Sequence, residues 1–176
     1  MKLNDIQYFF VFDVESIGLH GDGFAVGWTV VDVQGQEFEH GIFAVPRVIC
    51  KGSDDDRKWC DKNIPHIMPT HHSIIDMREA FWKVWLTWKA KGAVMFADCL
   101  WPVESHFLID CVADYQPYRN WEGPYPFHDI GTFLLAHGLD PLQKFERQVG
   151  EMTEHNPVCD ARQSARILVK TTHQTP

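Results

Sequence analysis

Residues 9–15, FFVFDVE, are apolar at nearly every position and end in two carboxylates, Asp13 and Glu15. In an extended chain successive side chains point to opposite faces, so Phe9 and Val11 form one face and Phe10, Phe12 and Val14 the other. Apolar side chains on both faces predict a central strand buried from both sides. The same register carries Asp13 and Glu15 together onto the Phe9 face at the strand's end. Residues 24–33 instead alternate, with Phe24, Val26, Trp28 and Val30 on one face. Gln34-Gly35 then offers a tight turn into a third strand over 37–45. The opening is a three-stranded meander.

Further along, the period changes from two to that of a helix. Residues 46–72 are polar and rich in turn formers, which predicts a long loop holding at most one short helix around Trp59. Ser73 is a good N-cap, and Ile74, Met77, Phe81, Val84, Trp85 and Trp88 recur at helical spacing up to Gly92. Those tryptophans read as core. Residues 93–97 form a short apolar strand, and Pro102 suits the first turn of a helix reaching about Asp114. A Pro-, Tyr- and Trp-rich loop over 116–126 follows, then a short strand passing into a helix over 127–138. Asn156-Pro157 opens a last helix to about Lys170. Strands first, then helices and strands in alternation, imply a mixed α/β sheet with helices on both faces.

Composition narrows the functional classes. At 176 residues with 45% apolar content, the chain is expected to form one domain spanning 1–176. No apolar run has bilayer length, and the start lacks the features of a signal peptide, so a cytoplasmic protein is expected, with no membrane partner. Five scattered cysteines without a C-x-x-C pair favour reduced thiols over a disulfide framework. A net charge of -8 argues against a duplex-coating surface. It leaves room for gripping a few nucleotides, because bound metals invert the charge of a small acidic site. A homodimer is compatible with the sequence, which does not fix the oligomeric state.

Two weak signals carry the chemistry. Asp13 and Glu15 at the edge of a core repel one another and lose hydration unless a cation neutralises them, and a divalent metal does so most directly. A pair that merely starts a surface turn before Gly18 is the plain alternative. The other signal is HNPVCDARQSARIL, where His155 falls just outside the last helix and Asp160 within its first turns. That presents an imidazole and a carboxylate at one mouth. A loop histidine and an acid favoured by the helix dipole are the plain readings of each.

Taken together, FDVESIG, HNPVCDARQSA and the intervening PYPFHDIGTFLLAHG resemble the DnaQ-like 3′-to-5′ exonucleases of the DEDDh type, over roughly residues 8–168. The layout is also similar to the small exoribonuclease-like branch of that superfamily. The second family motif places an Asp about three residues before a Phe-Leu pair. Here FADCLWPVESHFL puts Glu104 there, with Asp98 at the strand end as the competing carboxylate, and Glu104 is favoured. Asp110 and Asp114, deeper in the helix, read as solvent-facing acids.

The resemblance implies an RNase H-like, five-stranded mixed sheet flanked by helices. It also implies two Mg²⁺ or Mn²⁺ ions held by Asp13, Glu15, Asp160 and the second-motif acid, with His155 as general base. The expected substrate is the 3′ end of single-stranded RNA or DNA, and the product a nucleoside 5′-monophosphate. Trp59, Tyr118, Trp121 and Tyr125, on the segments 51–72 and 116–126, would wall the cleft and stack on bases. For Arg162 and Arg166, phosphate contacts and plain solvated charge stay equally open. Three other readings compete: an RNase H-like endonuclease, a catalytically weakened binding or regulatory module on the same fold, and a zinc site of Cys60, His66, His71 and His72 whose spacing fits no standard pattern.

Overall fold

The structure is a computed structural model describing residues 5–173, so residues 1–4, part of the start read above for a signal peptide, and 174–176 lie outside the described residues. Five strands, β1 (Tyr8–Ser16), β2 (Gly23–Asp32), β3 (Glu37–Ala44), β4 (Ala93–Ala97) and β5 (His128–Asp129), form one sheet in the order β3-β2-β1-β4-β5. β1 pairs antiparallel with β2 and parallel with β4, which places it at the centre. Its two apolar faces feed two separate cores. Phe10, Phe12 and Val14 pack with Met77, Phe81, Trp85 and Phe107, while Phe9 and Val11 pack with Ile130, Leu134, Ala165 and Leu168. The helices supplying the first core are α2 (Ile74–Ala90) and α3 (Ser105–Ala113). Those supplying the second are α4 (Ile130–Ala136) and α5 (Pro157–Thr172). Burying an aromatic side chain such as Phe10 contributes about 1.5–3 kcal/mol, so the strand's composition is itself the force that seats it between two helical layers.

Local signals explain the boundaries. Asp32 Oδ1 accepts from the amides of Gln34 and Gln36, both at 2.9 Å, and Gly35 takes φ 87 at the turn, so β2 stops at Asp32, one residue before the expected end. Ser73 caps α2 by accepting from the Asp76 amide, and Trp82, Trp85 and Trp88 are buried, as a core reading requires. Their indole N–H groups donate to Glu122 Oε2, the Glu122 carbonyl and Glu39 Oε2. The short helix expected around Trp59 is present, and the start of the helix after β4 needs correction. The polar stretch after β3 contains a full ten-residue helix, α1 (Asp54–Asn63), capped by Ser53. Its only buried residue is Cys60, so it had no apolar period to read. The segment Leu100–Glu104 is a π-type turn with Trp101 in extended conformation, so α3 proper starts at Ser105. Among the described residues no helix is long and apolar enough to cross a membrane.

Candidate active site

The C-terminal end of β1 is where the chemistry gathers. Continuing the Phe9 and Val11 face, Asp13 and Glu15 point toward α5. That helix comes within reach because Asp13 lies opposite Gly27 on β2. A Cβ at Gly27 would meet the Pro157 carbonyl carbon at 2.3 Å, so only glycine lets the first turn of α5 lie against the sheet. Asn156 caps α5 by accepting from the Val158 and Cys159 amides, with Pro157 at the first helical position, and this fixes Asp160 on the inward side. Carboxylate oxygens of Asp13, Glu15 and Asp160 consequently lie within 4.8 Å of one another.

Two more acids enlarge the cluster. Glu104 is 8% exposed, and its Oε1 accepts from the Val14 amide at 3.4 Å. Asp98, at the end of β4, is exposed by surface area, yet desolvation is the first cause raising its carboxyl, followed by Asp129 and Asp160. Desolvation is the largest cause of strain throughout. It lifts the Asp13 carboxyl well above its ordinary range, helped by Glu104, Glu15, Asp160 and Asp98. Glu15 is pushed up to about 8 by desolvation and by Asp160 and Glu104, with Arg47 pulling the other way. Glu104 rises to about 7 by desolvation, partly offset by its backbone hydrogen bonds. Asp160 is raised by desolvation against the opposing pull of Arg147. Glu104 acts on both Asp13 and Glu15, whereas Asp98 acts on Asp13 last of all, and neither belongs to the group of three whose oxygens lie within 4.8 Å.

His155 stands at the mouth. Its φ of 56 turns the chain just before the cap, and its Nδ1 lies 3.8 Å from Glu15 Oε1. The ring meets Trp59 of α1 edge-on, with centroids 5.5 Å apart. α1 is tied to the end of β1 by Cys60 Sγ, which donates to the Ser16 carbonyl at 3.3 Å.

The other residues singled out in the sequence fall elsewhere. Trp121 lines a surface cavity with Trp85, Lys89, Ala93 and Met95, at the start of β4 and so at the opposite end of that strand from Asp98. Tyr118 is exposed, and Tyr125 lines both that cavity and a neighbouring groove beside Ser105 and Leu108. Arg162 is bound in a fork to Glu37, and Arg166 to Glu151, so neither is a solvated charge. Asp110 and Asp114 both bond Arg78 of α2, and while the Asp110 side chain stays 33% exposed, that of Asp114 is only 9% exposed and does not face solvent. Of the zinc set, Cys60 is bonded to Ser16, His66 to Met68 and His71 to Thr70, and among the described residues they form no group of ligand atoms. The sequence reading missed Arg147, whose guanidinium contacts Asp160 Oδ1 at 2.5 Å, and Asp129 beside Asp98. Arg147 sits outside any periodic or motif-bearing stretch, whereas Asp129 lies within PYPFHDIGTFLLAHG, where no acid was singled out.

Compared with solved structures, the chain matches E. coli exonuclease I in a complex with single-stranded DNA, in its zinc-ion-bound form. The TM-score is 0.64 and the identity 12%, over 96% of this chain and 41% of that one. A second exonuclease I structure matches with a TM-score of 0.58 and 13% identity, over 94% and 41%. The chain shares its fold with exonuclease I. The RNase H-like, five-stranded mixed sheet expected from the sequence is thereby met, and at these identities the likeness is one of fold alone. The chain spans less than half the length of either exonuclease I chain. No protein-family model matches the sequence, and no curated protein matches it either.

Proposed function

We propose that the chain is a metal-dependent 3′-to-5′ exonuclease that releases nucleoside 5′-monophosphates from single-stranded RNA or DNA. The observation carrying this reading is the convergence of Asp13, Glu15 and Asp160 within 4.8 Å, with His155 Nδ1 3.8 Å from Glu15. The donor set fits Mg²⁺ or Mn²⁺: carboxylate oxygens are hard ligands, and acids crowded enough to be raised in pKa gain most from a cation. Asp13, Glu15, Asp160 and Glu104 would hold the ions, in a two-ion site. A divalent cation bound there supplies Lewis acidity toward a phosphodiester and makes water a better nucleophile at neutral pH.

The chain's own residues do the rest. His155, at the mouth and more open than the acids, takes the proton of the attacking water, a role suited to a group whose ordinary pKa lies near working pH. Trp59, half-exposed and edge-on to that ring, limits the imidazole's swing and offers an apolar wall to the terminal base. The test is to incubate the protein with Mn²⁺ and labelled RNA and DNA carrying free 3′ ends, blocked 3′ ends or none, as circles. Laddering from free 3′ ends alone is expected, and cleavage of circles would replace the exonuclease reading with an endonuclease one.

A second reading, a nucleic-acid-binding module with weakened turnover, draws on the guanidinium at Asp160 and on Glu104 standing where the family has Asp. Strand binding without release of mononucleotides in Mn²⁺ would favour it.

A further inference from the structure

Seven arginines are present, and only one of them touches the acid cluster directly. Arg147 lies on the segment between α4 and α5, thirteen residues before Asp160. Its guanidinium donates to Asp160 Oδ1 at 2.5 Å, to the Glu151 carbonyl at 2.7 Å and to the Thr153 carbonyl at 3.5 Å, with Glu154 Oε1 at 4.0 Å. Glu151 is itself 5% exposed and held by Arg166 and by the Gln148 amide. One side chain thus fastens the backbone at 151 and 153 to the first turn of α5. The next residues along that backbone are Glu154 and His155.

We propose that Arg147 is a positioning residue with two opposed effects: it clamps the loop that presents His155, and it competes with the metal for Asp160. This rests on the exonuclease reading above for the role of His155, but the competition stands on geometry alone. A guanidinium and a cation cannot both take the same carboxylate oxygen as close neighbours without mutual repulsion. Metal affinity is therefore lower than the carboxylates alone would give. The clamp also explains why arginine is used. A planar fork donates to the two carbonyls from one nitrogen and to the carboxylate from another, whereas a lysine ammonium must place all its donors on a single nitrogen.

The two effects separate by experiment. Arg147→Gln removes the charge and the fork, and Mn²⁺ titrated calorimetrically should bind about tenfold more tightly, the scale of one lost charge-assisted hydrogen bond. Its kcat on a short single strand should fall about tenfold to a hundredfold, with KM changing little, because a base displaced by about an ångström loses that much. Arg147→Lys keeps the charge and loses the fork. Its Mn²⁺ affinity should stay near that of the unaltered protein while kcat remains low. Joined to His155→Ala, Arg147→Gln should lower kcat no further, since both act through one group. Mn²⁺ affinity unchanged or weakened in Arg147→Gln overturns the competition, and full additivity with His155→Ala overturns the clamp. Should the unaltered protein bind Mn²⁺ yet degrade nothing, the exonuclease reading falls while the titration still decides the competition. Were Arg147→Gln to unfold, the titration of Arg147→Lys still decides. A tenfold tightening there, with the positive charge retained, would overturn the proposal.

Discussion

The molecule holds two clusters of buried or half-buried carboxylates. On α3, Asp110 and Asp114 share one guanidinium: Arg78 of α2 forms a fork to Asp114 with both bonds at 2.7 Å and reaches Asp110 at 3.2 Å. At the end of β1, five acids, Asp13, Glu15, Glu104, Asp160 and Asp98, converge where Arg147 bonds Asp160 and Arg47 acts on Glu15, with His155 alongside. Each acid of the first cluster bonds a guanidinium, leaving one formal charge over, whereas in the second only Asp160 does and the formal excess is larger. Acidity alone therefore says little about function. What marks a site is acid in excess of what the protein itself balances, because the remaining charge has to be met from outside.

Substitution separates the two clusters most sharply where charge is removed. Asp13→Asn takes a ligand from the unbalanced cluster, so hydrolysis should drop below detection in Mg²⁺ while the melting temperature holds or rises. Arg78→Ala strips the cation from the balanced cluster and leaves Asp114, 9% exposed at its side chain, uncompensated. A loss of about 3–5 kcal/mol in denaturant unfolding is expected there, with the residual folded fraction still active. An Asp13→Asn protein of near-normal turnover would end the metal reading.

His155 probes the boundary of the unbalanced cluster, since it adds a proton acceptor without being a ligand. His155→Ala should cut kcat by about 10²- to 10⁴-fold. Metal dependence should stay as it was, and the acidic limb of the pH-rate profile should flatten. A parallel rise in the Mg²⁺ requirement would make His155 a ligand instead.

How much of this was legible in the sequence depends on whether a residue belongs to a periodic element. Asp13 and Glu15 were readable because a strand's period of two fixes their face, and Asp160 because Asn156-Pro157 fixes the start of a helix. α1 was legible only as a short helix around Trp59, without bounds, because its sequence, DDDRKWCDKN, buries one residue and shows no apolar stripe. The pairing of Arg78 with Asp110 and Asp114 was missed because its partners lie 32 and 36 residues apart and meet only when α2 packs on α3. Arg147 escaped for the same reason: it comes from an irregular segment, where spacing predicts no direction. Trp121 was assigned to the cleft by composition alone, and composition carries no position.

Stability against pH distinguishes the clusters without any substitution. Glu15, at about 8, and Glu104, at about 7, are raised above their ordinary value, so between about pH 4.5 and 8 the folded protein holds protons that the unfolded chain has released. The sign follows: in chelator, stability should fall as pH rises through that window, by on the order of a few kcal/mol for the coupled group as a whole. Mn²⁺ should reverse the loss, raising the melting temperature more at pH 8 than at pH 5, because only the ionised cluster binds it well. A melting temperature in chelator that is flat or rising over this range would mean the cluster is already balanced, as on α3.

The finest distinction lies within the unbalanced cluster, between Glu104 and Asp98. Glu104 is buried, accepts from the Val14 amide and acts on both Asp13 and Glu15, whereas Asp98 is exposed by surface area and acts on Asp13 last. Charge near solvent is screened, so removing it changes the potential at Asp13 little. Glu104→Gln preserves the acceptor for Val14 and deletes only the charge, which keeps the fold out of the comparison. The Mg²⁺ concentration for half-maximal activity should then rise about tenfold for Glu104→Gln, the lower end of what a disturbed metal shell costs. Asp98→Asn should move it much less. The reverse order would shift the second-motif acid to the end of β4 and leave Glu104 as the group that pins the backbone of β1.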